Sequence, residues 1–262
     1  MIDNICATCG TQYPQGEVPD VCPICSDDRQ FVPESGQVWT SGVRLQQQRS
    51  VLIRQLYPEV YEIKVLPDFA IGQRAFLILT PGGNLLWDCI PLLSEQLVSF
   101  IRSKGGLKAI AFSHPHYYSN MNEWASTFDC PVYIHGKDDE WIFNKGPRIS
   151  VWEGGEKPLW EGMKVIHMGG HFPGSAVLHV PSLSPGGTLF VGDTLYIARS
   201  RKHIAIQYSY PNHIPLPAKI VREIFDRLLR VGFDTMHGAF DFQNLAGNAR
   251  EVLGASVGRY VV

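Results

Sequence analysis

The sequence predicts a layered α/β fold, with sheets covered by helices, preceded by a small metal-binding module. Three observations lead to this prediction. From about Val51 onwards, short apolar runs alternate with turns. Segments with helical periodicity are interspersed among these runs, and four cysteines cluster before residue 26. With 262 residues, the chain has room for one large domain and a small module.

Composition excludes several classes of protein. Hydrophobic residues make up 45% and charged residues 18%, which is typical of globular rather than disordered chains. The formal net charge is −2 and no long basic run occurs, which argues against a nucleic-acid partner. No apolar stretch approaches the roughly 20 residues that span a bilayer, and the N-terminus lacks the apolar core of a signal peptide. We therefore expect a cytoplasmic protein with no nucleic-acid and no membrane partner.

The first predicted unit, residues 1–35, contains two Cys-x2-Cys pairs and is called the ribbon below. Cys6 and Cys9 form the first pair, and Cys22 and Cys25 form the second. Two such pairs bring four thiolates onto two tight turns, an arrangement typical of a tetrahedral metal site. Two disulfides are the alternative, which a reducing cytoplasm disfavours. The sequence thus predicts a four-cysteine metal site.

In this spacing, and in the trailing Phe31, the ribbon resembles the rubredoxin-like ribbon of rubrerythrins. A four-thiolate site suits zinc and iron alike, and we expect zinc, with iron as the alternative. Acidic side chains outnumber the single basic one, Arg29, which disfavours contact with nucleic acid. We expect the ribbon to stabilise the fold or to contact a partner, either another protein or a second copy of the chain.

Residues 36–50 are polar, and we interpret them as a connector with room for a helical turn. Cys89 and Cys130 lie in apolar runs and are predicted to be core residues. Apolar runs on either side of Pro-Gly-Gly-Asn predict a hairpin from 75–80 to 85–89. Hydrophobic periodicity and turn signals predict the other elements. Helices are predicted over 92–104, 120–128 and 217–230, and strands over 108–113, 131–135, 164–168, 176–180 and 188–191.

Histidine and aspartate residues recur at the ends of the predicted strands. These positions are Asp88, His114, His116, His171, Asp193 and His237. In extended backbone, residues i and i+2 point the same way, so the imidazoles of the His-Pro-His segment can face one ion. A histidine or aspartate alone is more often an ordinary loop or core residue. Their repeated placement at strand ends favours a common site.

This constellation resembles the motifs of the metallo-β-lactamase superfamily, whose members share an αββα sandwich with metal ions at the sheet edges. The similarity covers residues 51–262 and implies a four-layer αββα sandwich preceded by the ribbon. Carried over residue by residue, it implies that His114, His116 and His171 bind one metal ion. It further implies that Asp193 bridges this ion to a second one.

The first motif departs from the His-x-His-x-Asp-His of the family, because it reads His-Pro-His-Tyr-Tyr-Ser. Tyr118 stands in the place of the aspartate and Ser119 in the place of the last histidine. The second site would keep only Asp193 and His237. Since two ligands rarely hold a divalent ion firmly, we expect one metal ion rather than two.

Three imidazoles with an open fourth position suit a catalytic zinc, which lowers the pKa of bound water to about 7. Iron and manganese are the alternatives at this site. Asp193 is expected to be a further ligand or to orient the water, and Asp88 to fix a ligand imidazole. Tyr118 is expected either to donate a hydrogen bond to an oxyanion or to fill the vacated site. His237 is expected either to move a proton or to stabilise its loop.

Three functions remain open from the sequence. The first is a metal-dependent hydrolase that acts on a small ester, thioester, lactone or similar electrophile, and the preserved histidines favour it. The second is a non-catalytic binding protein with the same fold. The third is an iron redox protein with electron entry through the rubredoxin-like ribbon, similar to the flavodiiron proteins but without their flavodoxin domain or carboxylate-rich motif. The aromatic segment 207–217 is expected to cover the metal and contact a small-molecule substrate.

Overall fold

The computed structural model describes residues 3–260. The strands are β1 (Ile5–Cys6), β2 (Trp39–Thr40), β3 (Ser50–Tyr57), β4 (Val60–Leu66), β5 (Arg74–Ile78), β6 (Leu85–Trp87), β7 (Ala109–Ala111), β8 (Val132–His135), β9 (Ile149–Trp152), β10 (Glu156–Pro158), β11 (Lys164–His167), β12 (Ala176–Val180), β13 (Thr188–Phe190), β14 (Tyr196–Ile197), β15 (Ile204–Ala205), β16 (Gln207–Ser209), β17 (Ile214–Pro215), β18 (Thr235–His237) and β19 (Asn244–Leu245). The α-helices are α1 (Pro23–Ser26), α2 (Gly42–Gln48), α3 (Glu95–Ser103), α4 (Met121–Phe128), α5 (Ala218–Leu229) and α6 (Ala249–Val257). Two 3₁₀ segments span Pro115–Tyr117 and Gly136–Trp141.

One large sheet contains seven strands in the order β3-β4-β5-β6-β7-β8-β9. Strands β3 to β6 are antiparallel, and β6 to β9 are parallel. The predicted hairpin is confirmed, since β5 and β6 pair with Phe76 opposite Trp87. Its turn contains Gly83 at a φ of 117°, a conformation that glycine adopts without strain.

The second large sheet contains six strands in the order β10-β11-β12-β13-β18-β19. Its strands are antiparallel except for β13 and β18, which run parallel with Phe190 opposite His237. Because parallel neighbours end at the same edge of a sheet, this pairing aligns the ends of two strands that are distant in sequence.

The two sheets pack face to face, and helices cover their outer faces. Side chains from both sheets form the buried layer between them, among them Phe76, Trp87, Leu178 and Phe190. Helices α3 and α4 bury their apolar sides on the seven-stranded sheet, and α5 and α6 do so on the six-stranded sheet. The predicted four-layer αββα sandwich is therefore confirmed.

The predicted helices and strands are found within one to three residues of their expected ends. Helix α3 begins at Glu95 rather than at residue 92, because the Ser94 hydroxyl accepts a hydrogen bond from the Leu97 amide and caps the helix. Cys89 and Cys130 are buried core residues, as predicted. Within residues 3–260, no helix has both the length and the apolar composition that a membrane crossing requires.

The connector differs from the expectation at one point. Trp39–Thr40 is a strand that pairs with β1 of the ribbon, with Trp39 opposite Cys6. The following helix α2 begins after Ser41, whose side chain caps it by accepting a hydrogen bond from the Arg44 amide. The sheet of the ribbon is thus completed by residues that the sequence places in the connector.

Candidate metal centre

Four buried side chains from distant parts of the chain meet beyond the ends of strands β7, β11 and β13. They are His114, His116, His171 and Asp193, and one ligand atom of each lies within 4.8 Å of those of the others. Two of the histidines follow β7, the third lies in the turn between β11 and β12, and the aspartate follows β13. The structure thus brings together the four side chains that the sequence nominates as one metal site.

The distances between these atoms fit a metal ion. Asp193 Oδ2 lies 3.3 Å from His114 Nε2 and 3.9 Å from His171 Nε2. His116 Nδ1 lies 3.4 Å from His171 Nε2. In a tetrahedral site with bonds of roughly 2.0–2.1 Å, neighbouring ligand atoms are about 3.3 Å apart. His114 Nε2 is buried without a hydrogen-bond partner, as expected of a nitrogen that coordinates an ion.

Burial keeps the imidazoles neutral. It lowers the pKa of His114 and of His171 to about 3, and it lowers the pKa of His116 well below the ordinary value. A neutral imidazole has one nitrogen with a free lone pair, and this is the form that binds a metal ion. The three histidines therefore have the protonation state of ligands at neutral pH.

Hydrogen bonds select which nitrogen is free. Ser113 Oγ donates to Asp88 Oδ1 at 2.9 Å and lies 2.8 Å from His114 Nδ1, so it accepts the Nδ1 proton. His171 Nδ1 lies 2.8 Å from the Tyr208 carbonyl, which can only accept. Both Nε2 atoms are consequently left unprotonated and face the site.

Asp88 acts on the site through Ser113 rather than by contacting an imidazole directly. Its Oδ1 also accepts a hydrogen bond from the Ser113 amide at 2.7 Å, and burial raises the pKa of Asp88 to about 8. Gly192 packs against Ser113, and a Cβ at this position would lie only 2.3 Å from Ser113 Oγ, so a larger residue would displace the serine. The expected direct contact between Asp88 and a ligand imidazole is thus replaced by a serine relay.

Tyr117, rather than the predicted Tyr118, is the tyrosine at the site. Its hydroxyl donates to Asp193 Oδ1 at 2.6 Å, and its ring centroid lies 4.3 Å from that of His114. Burial raises the pKa of Tyr117, which keeps the phenol protonated as a donor. Tyr118 instead packs edge-on against Phe112 in the core. The expected oxyanion role of Tyr118 is therefore corrected, and the side chain serves as core filling.

The backbone conformation after His114 explains why Tyr117, and not Tyr118, lies at the site. Extended backbone was expected through the His-Pro-His segment, but Pro115–Tyr117 form a 3₁₀ turn. In such a turn residues i and i+3 share a face, which places Tyr117 beside His114. The two histidines of the motif still converge, but through different ring nitrogens, Nε2 of His114 and Nδ1 of His116.

The structure does not place His237 among the four clustered ligands. Its ring lies 5.3 Å from Phe190 and 5.9 Å from Phe76, and its Nδ1 lies 2.7 Å from Asn244 Oδ1. Burial lowers the pKa of His237 to about 4. These contacts agree with stabilisation of the adjoining strand and loop, and the alternative role of His237 in proton transfer stays a prediction. That the site binds one ion rather than two stays a prediction.

The four cysteines of the ribbon form a second buried cluster, with their Sγ atoms within 4.8 Å of one another. The Sγ distances are 3.6 Å from Cys6 to Cys25 and 3.6 Å from Cys9 to Cys22. Bonds of about 2.3 Å in a tetrahedral zinc site give about 3.8 Å between sulfurs, whereas a disulfide requires about 2.05 Å. All four are free thiols, and the cluster fits a metal ion rather than two disulfides.

The ribbon contacts the loop that carries a histidine ligand. Arg29 is buried, and its Nε donates to the His171 carbonyl at 2.5 Å. Its guanidinium lies 4.3 Å from the ring centroid of Phe172 and 4.4 Å from that of Tyr208. No local signal in the sequence indicated this role for Arg29, because its partners are about 140 and 180 residues away.

A cavity of about 650 Å³ opens over His116, His171 and Asp193. Aromatic side chains form much of its wall, namely Phe31, Tyr196, Tyr210, Phe240 and Phe242. The aromatic segment 207–217 contributes to this wall, in agreement with its expected position over the metal site. The cavity gives a small molecule access to the clustered ligands.

Comparisons with known proteins agree with this geometry. Residues 70–232 match the model of the family described as "Metallo-beta-lactamase superfamily". The "Uncharacterized protein YmaE" of Bacillus subtilis (strain 168) is 40% identical over 261 residues, which cover 98% of this chain and 95% of that relative. The crystal structure of DIM-1 metallo-beta-lactamase exposed to ceftazidime matches with a TM-score of 0.61 at 14% identity, over 81% of this chain and 98% of that chain. SMB-1 bound to 2-mercaptoethanesulfonate matches with a TM-score of 0.54 at 14% identity, over 79% and 93%. The chain therefore belongs to the metallo-beta-lactamase superfamily.

Proposed function

We propose that the protein is a metal-dependent hydrolase that cleaves a small ester, thioester, lactone or similar electrophile. One divalent ion, zinc in preference to iron or manganese, would be held by His114, His116, His171 and Asp193. The observation that carries the proposal is the convergence of these four buried ligand atoms within 4.8 Å, beneath an accessible cavity. Three neutral imidazoles with an open fourth position are typical of catalytic zinc, and Asp193 would either orient the bound water or bind the ion as an additional ligand.

A divalent ion in such a site lowers the pKa of bound water to about 7 and polarises a substrate carbonyl. The residues of the chain determine how this chemistry is positioned. The Tyr117 hydroxyl holds Oδ1 of Asp193, so Oδ2 is left facing the imidazoles. Ser113 and the Tyr208 carbonyl hold two of the imidazoles in the ligand tautomer. Fixed ligands of this kind reduce the rearrangement needed during the reaction.

The test is metal analysis combined with hydrolysis of a panel of 4-nitrophenyl esters and thioesters. His171→Ala is expected to lose the ion of the four-ligand site and all metal-dependent turnover, while the four-cysteine site keeps its ion. His203→Gln serves as the matched control, because His203 lies outside both clusters. Equal turnover by His171→Ala or by metal-free protein would contradict the proposal. A fully metallated protein without turnover on the panel would favour the non-catalytic binding protein.

An iron redox protein is the second candidate. The contact between Arg29 and the His171 carbonyl favours it, because this contact joins the ribbon that carries the four cysteines to the loop that carries His171. A ferric four-thiolate centre absorbs visible light, whereas zinc does not. A red protein with iron at both sites would support this candidate, and a colourless protein that contains zinc would exclude it.

A further inference from the structure

The cavity over the metal ligands is not enclosed by the sandwich alone. Thr8, Gln30 and Phe31 of the ribbon line it together with residues that follow strand β13. Phe31 is 48% exposed, which is a large exposure for an aromatic side chain. The ribbon thus presents a solvent-accessible phenyl ring to the space in which a substrate would lie.

Hydrogen bonds fix this part of the ribbon against a loop that also lines the cavity. Asn212 Nδ2 donates to the Gln30 carbonyl at 2.8 Å and to the Asp28 carbonyl at 2.9 Å. Ser209 Oγ donates to the Arg29 carbonyl at 3.1 Å. These three bonds hold the backbone immediately before Phe31, so its ring stands on a rigid support. A fixed aromatic side chain can contribute binding energy without a large cost in conformational entropy.

The other aromatic side chains that line the cavity match an apolar ligand group. Phe240 and Phe242 stack with their ring centroids 6.5 Å apart, and Tyr196 stacks on Tyr210 at 5.0 Å. All four line the cavity together with Phe31. A volume of about 650 Å³ is larger than an acetyl group requires and accommodates a chain of several carbons or an aromatic ring.

We propose that the ribbon is a specificity-determining part of the active site, in which Phe31 contacts the apolar, non-reacting group of the substrate. This inference rests on the proposed function and specifies its substrate class as esters or thioesters with an extended aliphatic or aromatic acyl group. It assigns the ribbon a role in substrate binding in addition to the expected role in folding or partner contact.

The test measures binding separately from turnover. The cobalt-substituted protein is titrated with ethanethiol and with hexanethiol, and thiolate-to-cobalt absorption in the difference spectrum gives each Kd. Phe31→Ala is expected to weaken hexanethiol binding about fivefold, because contact with half of a phenyl ring is lost. Ethanethiol binding should change little, because a two-carbon chain offers little apolar surface for Phe31 to bury. Phe31→Leu should retain most of the affinity for hexanethiol.

Val38→Ala is the matched control, because Val38 is an exposed apolar residue, 53% accessible, that does not line the cavity. Cobalt content at the four-cysteine site confirms that each variant retains its ribbon. In a parallel assay, Phe31→Ala should lower the ratio of kcat/KM for 4-nitrophenyl hexanoate over acetate by the same factor. Unchanged selectivity among thiols and esters would overturn the inference while the hydrolase proposal stands. If Phe31→Ala weakened hexanethiol binding but no ester were hydrolysed by the unaltered protein, the hydrolase proposal would be refuted. The role of Phe31 in binding an apolar group would still hold.

Discussion

Replacing Arg29 with alanine is expected to weaken metal binding at the four-ligand site and to leave the four-cysteine site occupied. The side chain is only 10% exposed, and its Nε donates to the carbonyl of His171. The guanidinium also lies within 4.5 Å of two ring centroids, those of Phe172 and Tyr208. Arg29→Ala removes the hydrogen bond to the His171 backbone and the contacts with the two aromatic rings beside it.

The magnitude follows from these contacts. A hydrogen bond from a charged donor contributes about 1.5–3 kcal/mol, and each cation–π contact contributes on the order of 1 kcal/mol. Only the part of this energy that positions His171 appears in metal affinity. Loss of a group that orients a ligand typically costs about 10- to 100-fold in metal affinity. We therefore expect a decrease of that size in Arg29→Ala.

Competition with a chromophoric chelator measures the affinity of each site. Arg44→Ala is the matched control, because Arg44 is half-exposed and makes a surface ion pair with Asp3 at 3.0 Å. Surface pairs contribute little, so this variant should bind metal as the unaltered protein does. Equal affinity of the four-ligand site in Arg29→Ala, with the ribbon still metallated, would refute the reasoning that the ribbon positions His171.

Three further predictions follow from the contacts described above. Tyr117→Phe is expected to lower metal affinity and kcat by about tenfold, because Asp193 loses the donor to Oδ1; Tyr118→Phe should leave both unchanged. Stability should fall as the pH drops from 6.5 to about 4, because a buried neutral His237 has a folded-state pKa of about 4 and the unfolded chain binds more protons in that window. His237→Phe should remove up to about 3 kcal/mol of this dependence in urea unfolding at the two pH values. Arg74→Met should lower the free energy of unfolding by about 3–5 kcal/mol, because Glu62 keeps only the half-exposed Arg54 as a partner and three further acceptors lose the guanidinium donor.

Each of these predictions has an outcome that would contradict it. Equal effects of Tyr117→Phe and Tyr118→Phe would show that the hydrogen bond to Asp193 does not position the ligand. An unchanged pH dependence in His237→Phe would show that His237 is not neutral and buried. If Arg74→Met lowered the free energy of unfolding by less than about 1 kcal/mol, the ion pair between Arg74 and Glu62 would not be shielded from water.

The elements of the fold and the candidate site residues were predictable because local signals mark them. Helix α5 has apolar residues every three to four positions, and Val221, Ile224 and Leu228 are indeed its buried face. Asp193 follows an apolar strand, and His171 lies in a glycine-rich turn. Their placement at strand ends marked these residues as candidates, and the resemblance to the metallo-β-lactamase superfamily assigned them to one ion.

The remaining features depend on backbone detail or on contacts between distant segments. The contact of Tyr117 with Asp193 follows from a 3₁₀ turn, whereas comparison with the family motif pointed to its neighbour Tyr118, which stands in the place of the aspartate. The roles of Arg29 and Phe31 follow from packing between the ribbon and a segment about 180 residues away. Hydrophobic patterns predict which face of a helix or strand is buried, but they do not predict which distant segment of the chain covers that face.

Anomalous diffraction from crystals of the metallated protein tests the central claim most directly. We predict two peaks per chain, one equidistant from the four ribbon Sγ atoms and one about 2.0–2.1 Å from His114 Nε2, His116 Nδ1 and His171 Nε2. Absence of the second peak, or an additional ion beside it bound through Tyr118 or His237, would contradict a single metal ion held by three imidazoles and one carboxylate.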